Sequence, residues 1–211
     1  MIPFILFGWI AYGQQRTTFN LFELIKQQKL EPVHRNIKEL GDGNYKGVTV
    51  SEEGREGLVW IKGVNFSEGS IEFDARGKDE LQKSFIGVAF HGQNDSTYDA
   101  VYFRPFNFHA NDSVRRIHAV QYVSHPLFTW RKLREDKITN AKYEKAIDNA
   151  PDSNGWFHVK VLVKDRTVKV FINDRQAPEL TVQQLSNFSG GKIGLFTGDG
   201  SGGDFANLII E

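Results

Sequence analysis

Between Tyr102 and Tyr122 the chain gathers side chains that can hold a ligand and move protons. Tyr102 and Arg104 lie in one segment, His118, Gln121 and Tyr122 in the next, and His91 shortly before them. An arginine and a glutamine together neutralise a carboxylate, while a histidine or tyrosine takes a proton from carbon and returns one to a leaving oxygen. The same set can bind without reacting: tyrosine rings stack on sugar rings while Arg104 and His118 bond hydroxyls. A purely structural use is the third reading, with Arg104 paired to an acidic neighbour such as Asp99 or Asp74 and His118 a satisfied interior histidine. The run His125-Pro126-Leu127-Phe128-Thr129-Trp130-Arg131 follows directly. There Trp130 is either a groove wall and sugar platform or a cap on the core.

Two further clusters invite chemistry. Glu72 and Asp74 stand two apart, which puts both on one face of a strand. A retaining glycosidase needs such a carboxyl pair about 5–5.5 Å apart. Arg76 adjoins the same face, so an ion-pair ladder accounts for them without catalysis. The tract Gly198-Asp199-Gly200-Ser201-Gly202-Gly203-Asp204 offers two carboxylates and loop carbonyls to a structural calcium, the one cofactor left open. A hairpin turn that needs a glycine at positive φ explains the same residues. No G-x-S-x-G elbow and no G-x-x-x-x-G-K-[ST] loop occurs.

The elements that must position these groups are strands. In GSIEFDARG, Ile71, Phe73 and Ala75 point one way, with Glu72, Asp74 and Arg76 the other. SFIGVAFHG puts Ile86, Val88 and Phe90 on one face, and Phe85, Gly87, Ala89 and His91 opposite. YDAVYFRPF sets Val101 and Phe103 against Tyr102, Arg104 and Phe106, while RRIHAVQYVS sets Gln121 opposite His118 and Tyr122. WFHVKVLVKD alternates most cleanly, with Phe157, Val159, Val161 and Val163 inward. Such strands, with no long helix between them, predict an all-β fold: an antiparallel two-sheet β-sandwich with one solvated outer face. The other sheet, carrying aromatics, Arg and His on its non-core face, is expected to line a groove.

Bulk properties narrow the field. The 211 residues hold 26 basic and 26 acidic side chains, a net charge of zero that argues against nucleic acid as a partner. With no cysteine, disulfides, thiolate metal sites and cysteine nucleophiles are excluded. The apolar run from Ile2 to Tyr12 is far shorter than the ~20 residues of a membrane span. Ala11 and Gly13 fit a small-x-small cleavage site, although no basic residue follows Met1. The expected organisation is a signal peptide over 1–13, a lead-in over 14–45 and the sandwich over 46–211, in the periplasm or outside the cell.

FSEGSIEFDARG, SFIGVAFHG, YDAVYFRPFNF, HAVQYVSHPLFTWRKLR, NGWFHVKVLVKDRTVKVFIND and the closing GKIGLFTGDGSGGDFANLII together resemble the bacterial concanavalin A-like (laminin-G-like) jelly rolls. The likeness is closest to secreted members near the 3-keto-disaccharide-hydrolase-type domains and covers Lys46 to Glu211. It implies a jelly roll whose concave face binds or cleaves an oligo- or polysaccharide. The E-x-D-x-x-E pattern of laminarinase-like relatives lacks its final Glu after Glu72 and Asp74. The R-x-E, Q-x-H and Y-x-K-x-G-x-Y motifs of jelly-roll lyases are likewise absent or reversed, so carbohydrate binding is expected first. A glycoside hydrolase or polysaccharide lyase is the enzymatic alternative, and an accessory domain without sugar the third.

Overall fold

Strands that bury one face repeat every second residue, and that repeat governs most of this chain. The computed structural model describes residues 16–135 and 142–211, so the expected leader over 1–13 lies outside the described residues. In chain order the elements begin β1 (Thr17–Phe19), α1 (Leu21–Lys26), β2 (Leu30–Val33), β3 (Ile37–Asp42), β4 (Tyr45–Glu53), β5 (Gly57–Phe66) and β6 (Gly69–Arg76). Then come β7 (Ile86–Asn94), β8 (Thr97–Phe103), α2 (Pro105–Phe108), α3 (Ser113–Arg116), β9 (Val120–His125) and α4 (Trp130–Glu135). The chain closes with β10 (Glu144–Lys145), β11 (Trp156–Lys164), β12 (Thr167–Ile172), β13 (Leu180–Gln183), β14 (Gly191–Thr197) and β15 (Ser201–Ile210).

These strands build two antiparallel sheets, stacked as an all-β jelly-roll sandwich. The eight-stranded sheet runs β13-β12-β11-β6-β15-β4-β3, with β1 also paired to β15. The seven-stranded sheet runs β10-β9-β8-β7-β14-β5-β2. Between them lie Ile71, Phe73 and Ala75 of β6 and Phe157, Val159 and Val161 of β11, packed with Ile86, Val88 and Phe90 of β7 and Val101 and Phe103 of β8. Truncating a buried ring such as Phe73 to alanine at such a site costs about 3–5 kcal/mol. The outer face of the eight-stranded sheet is the polar one expected: Lys160 reaches Glu72 at 2.8 Å, and His158 reaches Asp74 at 2.8 Å.

Residues ahead of Lys46 are more than a lead-in. They give β2 to one sheet and β3 to the other, with Pro32 accommodated on an edge strand. Between those strands Arg35 is buried, and its guanidinium donates to Thr197 Oγ1, Arg55 O and Gly198 O, each at 2.7 Å. It thereby ties the crossover to the turn between β14 and β15. That turn is the glycine tract of the sequence, and Gly200 adopts φ 63° there.

The outer face of the seven-stranded sheet departs from an open hollow. A second buried cluster, including Leu58, Trp60, Tyr98, Ala100, Val123 and Phe196, is covered by Leu133 of α4 and by Phe128. What stays open is one end of that face.

Candidate functional site

Alternation along β8 sends Tyr98, Ala100 and Tyr102 to the outer face, and Arg104 follows where the strand gives way to α2. Register then pairs Tyr102 with Gln121 of β9, and Gln121 with Glu144 of β10. Neighbours in register share a face. The Tyr102 hydroxyl donates to Gln121 Oε1 at 2.8 Å. Arg104 Nη2 donates to that same oxygen through a very short contact and to the Tyr102 hydroxyl at 2.8 Å, while Nη1 donates to His118 O at 2.8 Å. The guanidinium lies 4.8 Å from the centre of the Tyr102 ring and 5.5 Å from that of Phe85. Few rotamers remain to Arg104, so its charge is presented at a fixed place.

Glu144 is the hub of the charges around it. Its carboxylate accepts from Arg134 Nε at 2.9 Å and Nη2 at 2.7 Å, and lies 3.8 Å from Arg104 Nη1. His118 Nδ1 stands 2.8 Å from it. Burial pushes the Glu144 carboxyl up, but the hydrogen bonds from Arg134 and the charges of Arg134 and Arg104 outweigh it and hold the group below the usual carboxylate range. His118 is lowered from the ordinary histidine value, chiefly by burial and with Arg134 and Arg104 opposing its proton, although Glu144 favours it. At neutral pH it is an uncharged imidazole able to accept a proton. Tyr102 is pushed up to about 12 by burial, so it remains a donor and not a base.

Tyr102, Arg104, His118 and Arg134 border a groove of about 590 Å³, within the ~300–1,000 Å³ range of small-molecule sites. Phe85, Tyr102, Phe106, Phe196 and Trp130 give it ring faces, and Arg104, Arg115, Arg134 and His118 give it donors. Glu56 and Asp199 line it as well. Trp130 is 39% exposed at the rim, with the guanidiniums of Arg131 and Arg134 lying 5.4 and 5.2 Å from its ring centre.

Of the residues expected at the site, the structure brings together Tyr102, Arg104, His118, Gln121 and Trp130. Gln121 and His118 share the site although strict alternation set them on opposite faces. The reason is that β9 begins only at Val120, leaving His118 in the turn after α3 and outside the alternation. Tyr122 is a correction: it faces the inter-sheet core, where its hydroxyl donates to Asp99 Oδ1 at 3.0 Å. His91 is another. It adopts φ 52° where the β7–β8 register slips, so it leaves the face of Gly87 and Ala89 and contacts Asp99 Oδ2 at 3.0 Å inside the protein. Glu72 and Asp74 belong to the opposite sheet, held there by Lys160, His158 and Asn207 as a ladder. The acidic neighbour of Arg104 is Glu144, not Asp99 or Asp74. In the glycine tract, Asp199 accepts from Arg55 N and Asp204 from Arg76 and Thr49. Among the described residues no three His, Cys, Asp or Glu side chains cluster as a metal site.

Sequence reasoning missed Glu144, Arg134, Arg115 and Glu56, and took Asp199 for a turn residue or calcium ligand instead of part of this groove. Glu144 carried no local signal, since its partners are ten, twenty-six and forty residues away. Phe85 and Phe106 could have been found, because alternation already assigned them to the face of Tyr102 and Arg104.

A sandwich of two stacked antiparallel sheets of this topology is a concanavalin A-like jelly-roll domain. The chain matches the 3-keto-alpha-glucoside-1,2-lyase-like domain over residues 6–211 and belongs to that family. Solved structures share the fold at low identity. The carbohydrate-binding module CBM66 from Bacillus subtilis is 16% identical with a TM-score of 0.58, covering 87% of this chain and 96% of its own. A protein with a galectin-like fold from Bacillus subtilis is 10% identical at 0.61, covering 92% and 94%. The exoplasmic/lumenal domain of VIP36, in a Ca2+/Man-bound form, is 12% identical at 0.55, covering 87% and 82%. Comparison with curated proteins gives no match. No helix among the described residues is long and apolar enough to cross a membrane.

Proposed function

We propose that the groove on the seven-stranded sheet is a saccharide-binding site in a protein exported from the cytoplasm. The observation that carries this reading is the convergence of fixed donors on ring faces: Arg104 and His118 beside Phe85, Tyr102, Phe106 and Trp130 in one groove. A sugar ring offers apolar C–H faces to such rings and hydroxyls to such donors. The names of CBM66 and of the Ca2+/Man-bound VIP36 domain agree with that reading. Export rests on the apolar start of the chain with its small-x-small site and on the absence of cysteine.

A second reading is favoured by one observation, the neutral His118 set against Glu144, together with the family description. In an elimination on a keto-glucoside, His118 Nε2 would take the proton from the carbon beside the carbonyl. The C–H electrons would form an enolate, its oxygen stabilised by a guanidinium such as Arg104. The enolate would then expel the glycosidic oxygen, which leaves with the proton handed back by His118 Nε2 as the new C=C bond forms.

The test is a panel of neutral and acidic polysaccharides in affinity gels, followed by 3-keto-glucosides with release of the leaving alcohol and enone absorbance measured. Retardation without release is expected if the site only binds, and release abolished by His118→Ala supports elimination. Absence of retardation across the panel, with Trp130→Ala and wild type alike, refutes the groove.

A further inference from the structure

The guanidiniums of the groove are not equally neutralised. Arg104 and Arg134 share Glu144. Arg115 pairs with no carboxylate among the described residues: its Nε goes to Asn107 Oδ1 at 3.2 Å and its Nη2 to Phe106 O at 2.7 Å. Those neutral acceptors fix the guanidinium and leave its charge whole. The lowered His118 adds no proton to the balance at neutral pH. Glu56 and Asp199 belong to the turns before β5 and after β14, and β5 is three strands across from β8. The Glu56 carboxylate nonetheless reaches back over the sheet, accepting from the Tyr98 hydroxyl at 3.1 Å and lying 3.6 Å from His125 Nδ1, while Asp199 accepts from Arg55 N.

Resting on the saccharide reading of the groove, we infer that its ligand carries a single carboxylate, seated against Arg115 with the neutral remainder of the sugar toward Phe85 and Phe196. A planar carboxylate matches the free edge of a guanidinium better than a hydroxymethyl group does. Carboxylates repeated on successive rings would meet Glu56 and Asp199, so a run of uronates is disfavoured and the orientation of the ligand is set.

The probes are cellobiouronic acid and cellobiose, which differ by one carboxylate for one hydroxymethyl, and digalacturonic acid, with two carboxylates. Binding to the full chain is followed by NMR titration at low and at moderate salt. Cellobiouronic acid is expected to bind about 10- to 100-fold tighter than cellobiose. That preference shrinks with added salt and falls to about twofold in Arg115→Gln, whereas Arg115→Lys keeps part of it. Equal affinity of the two probes in the wild type, or an undiminished preference in Arg115→Gln, overturns the carboxylate inference and leaves the groove reading standing. Digalacturonic acid binding tighter than cellobiouronic acid overturns the limit to one carboxylate. Failure to bind any of the three, together with a silent polysaccharide panel, overturns the inference and the groove reading together.

Discussion

Replacing Glu144 with glutamine removes the one carboxylate that Arg104, Arg134 and His118 share, while keeping the shape of the side chain. The Glu144 side chain is 2% exposed and the Arg104 side chain 5%, so two like charges would be left in a poorly solvated place. Breaking a buried pair by removing one partner costs about 3–5 kcal/mol. Arg134 is 35% exposed and recovers hydration, and glutamine keeps one acceptor oxygen. The expected loss is therefore about 2–3 kcal/mol at pH 7, or about 4–12 °C in Tm for a chain of this length. The dependence on pH has a definite sign. Because Glu144 is held below the usual carboxylate range when folded, its contribution is complete above that range and is lost as pH falls through its folded value. Urea unfolding of wild type and Glu144→Gln, from pH 7 down to acid, should show a gap that closes on acidification. A gap under about 1 kcal/mol at pH 7, or one that ignores pH, would refute the account of Glu144 as the shared counter-charge.

Trp130→Ala should leave urea stability within about 0.5 kcal/mol, since the ring is 39% exposed, yet weaken glycan retention at least about tenfold. Asp99→Asn should cost about 1–3 kcal/mol by denaturant titration. Asp99 is buried beneath the Tyr122 and Ser186 hydroxyls at 3.0 and 2.6 Å and the His91 ring at 3.0 Å, and an amide cannot accept all three. His158 is raised above the ordinary histidine value by its hydrogen bond to Asp74, against the effect of burial. Its contribution is thus present below the ordinary histidine pKa and lost as pH rises through the raised one, so Asp74→Asn should destabilise at pH 5 and be near neutral at pH 9. At a partly exposed ladder this amounts to less than about 1 kcal/mol, read from the difference in urea midpoints.

The sandwich was legible wherever a strand has one wet face. Phe157, Val159 and Val161 alternate with His158 and Lys160, and the pattern names the inner face without further help. Strands of the other sheet are covered on both sides, and there the alternation survives but the labels do not. Val120 and Tyr122 face one layer while Gln121 and Val123 face the other, and polarity alone pointed the hydroxyl of Tyr122 the wrong way. His91 was beyond reach because a single left-handed residue reverses the phase. Arg104, His118 and Trp130 could be found from residue type and proximity. Glu144 could not, because only tertiary contact brings a short edge strand beneath Arg104 and beside α4. Likewise β2 and β3 are too short and too charged to announce themselves, and gain their place by pairing with longer neighbours.

The pairing of β1 with β15 sets Thr17 directly opposite Ile210, so the chain enters and leaves the described structure at one spot. That spot belongs to the eight-stranded layer, whereas Tyr102 of β8 and Phe196 of β14, which line the groove, belong to the seven-stranded one. A contact made at that spot therefore grips the described sandwich on the layer opposite the strands that carry the groove.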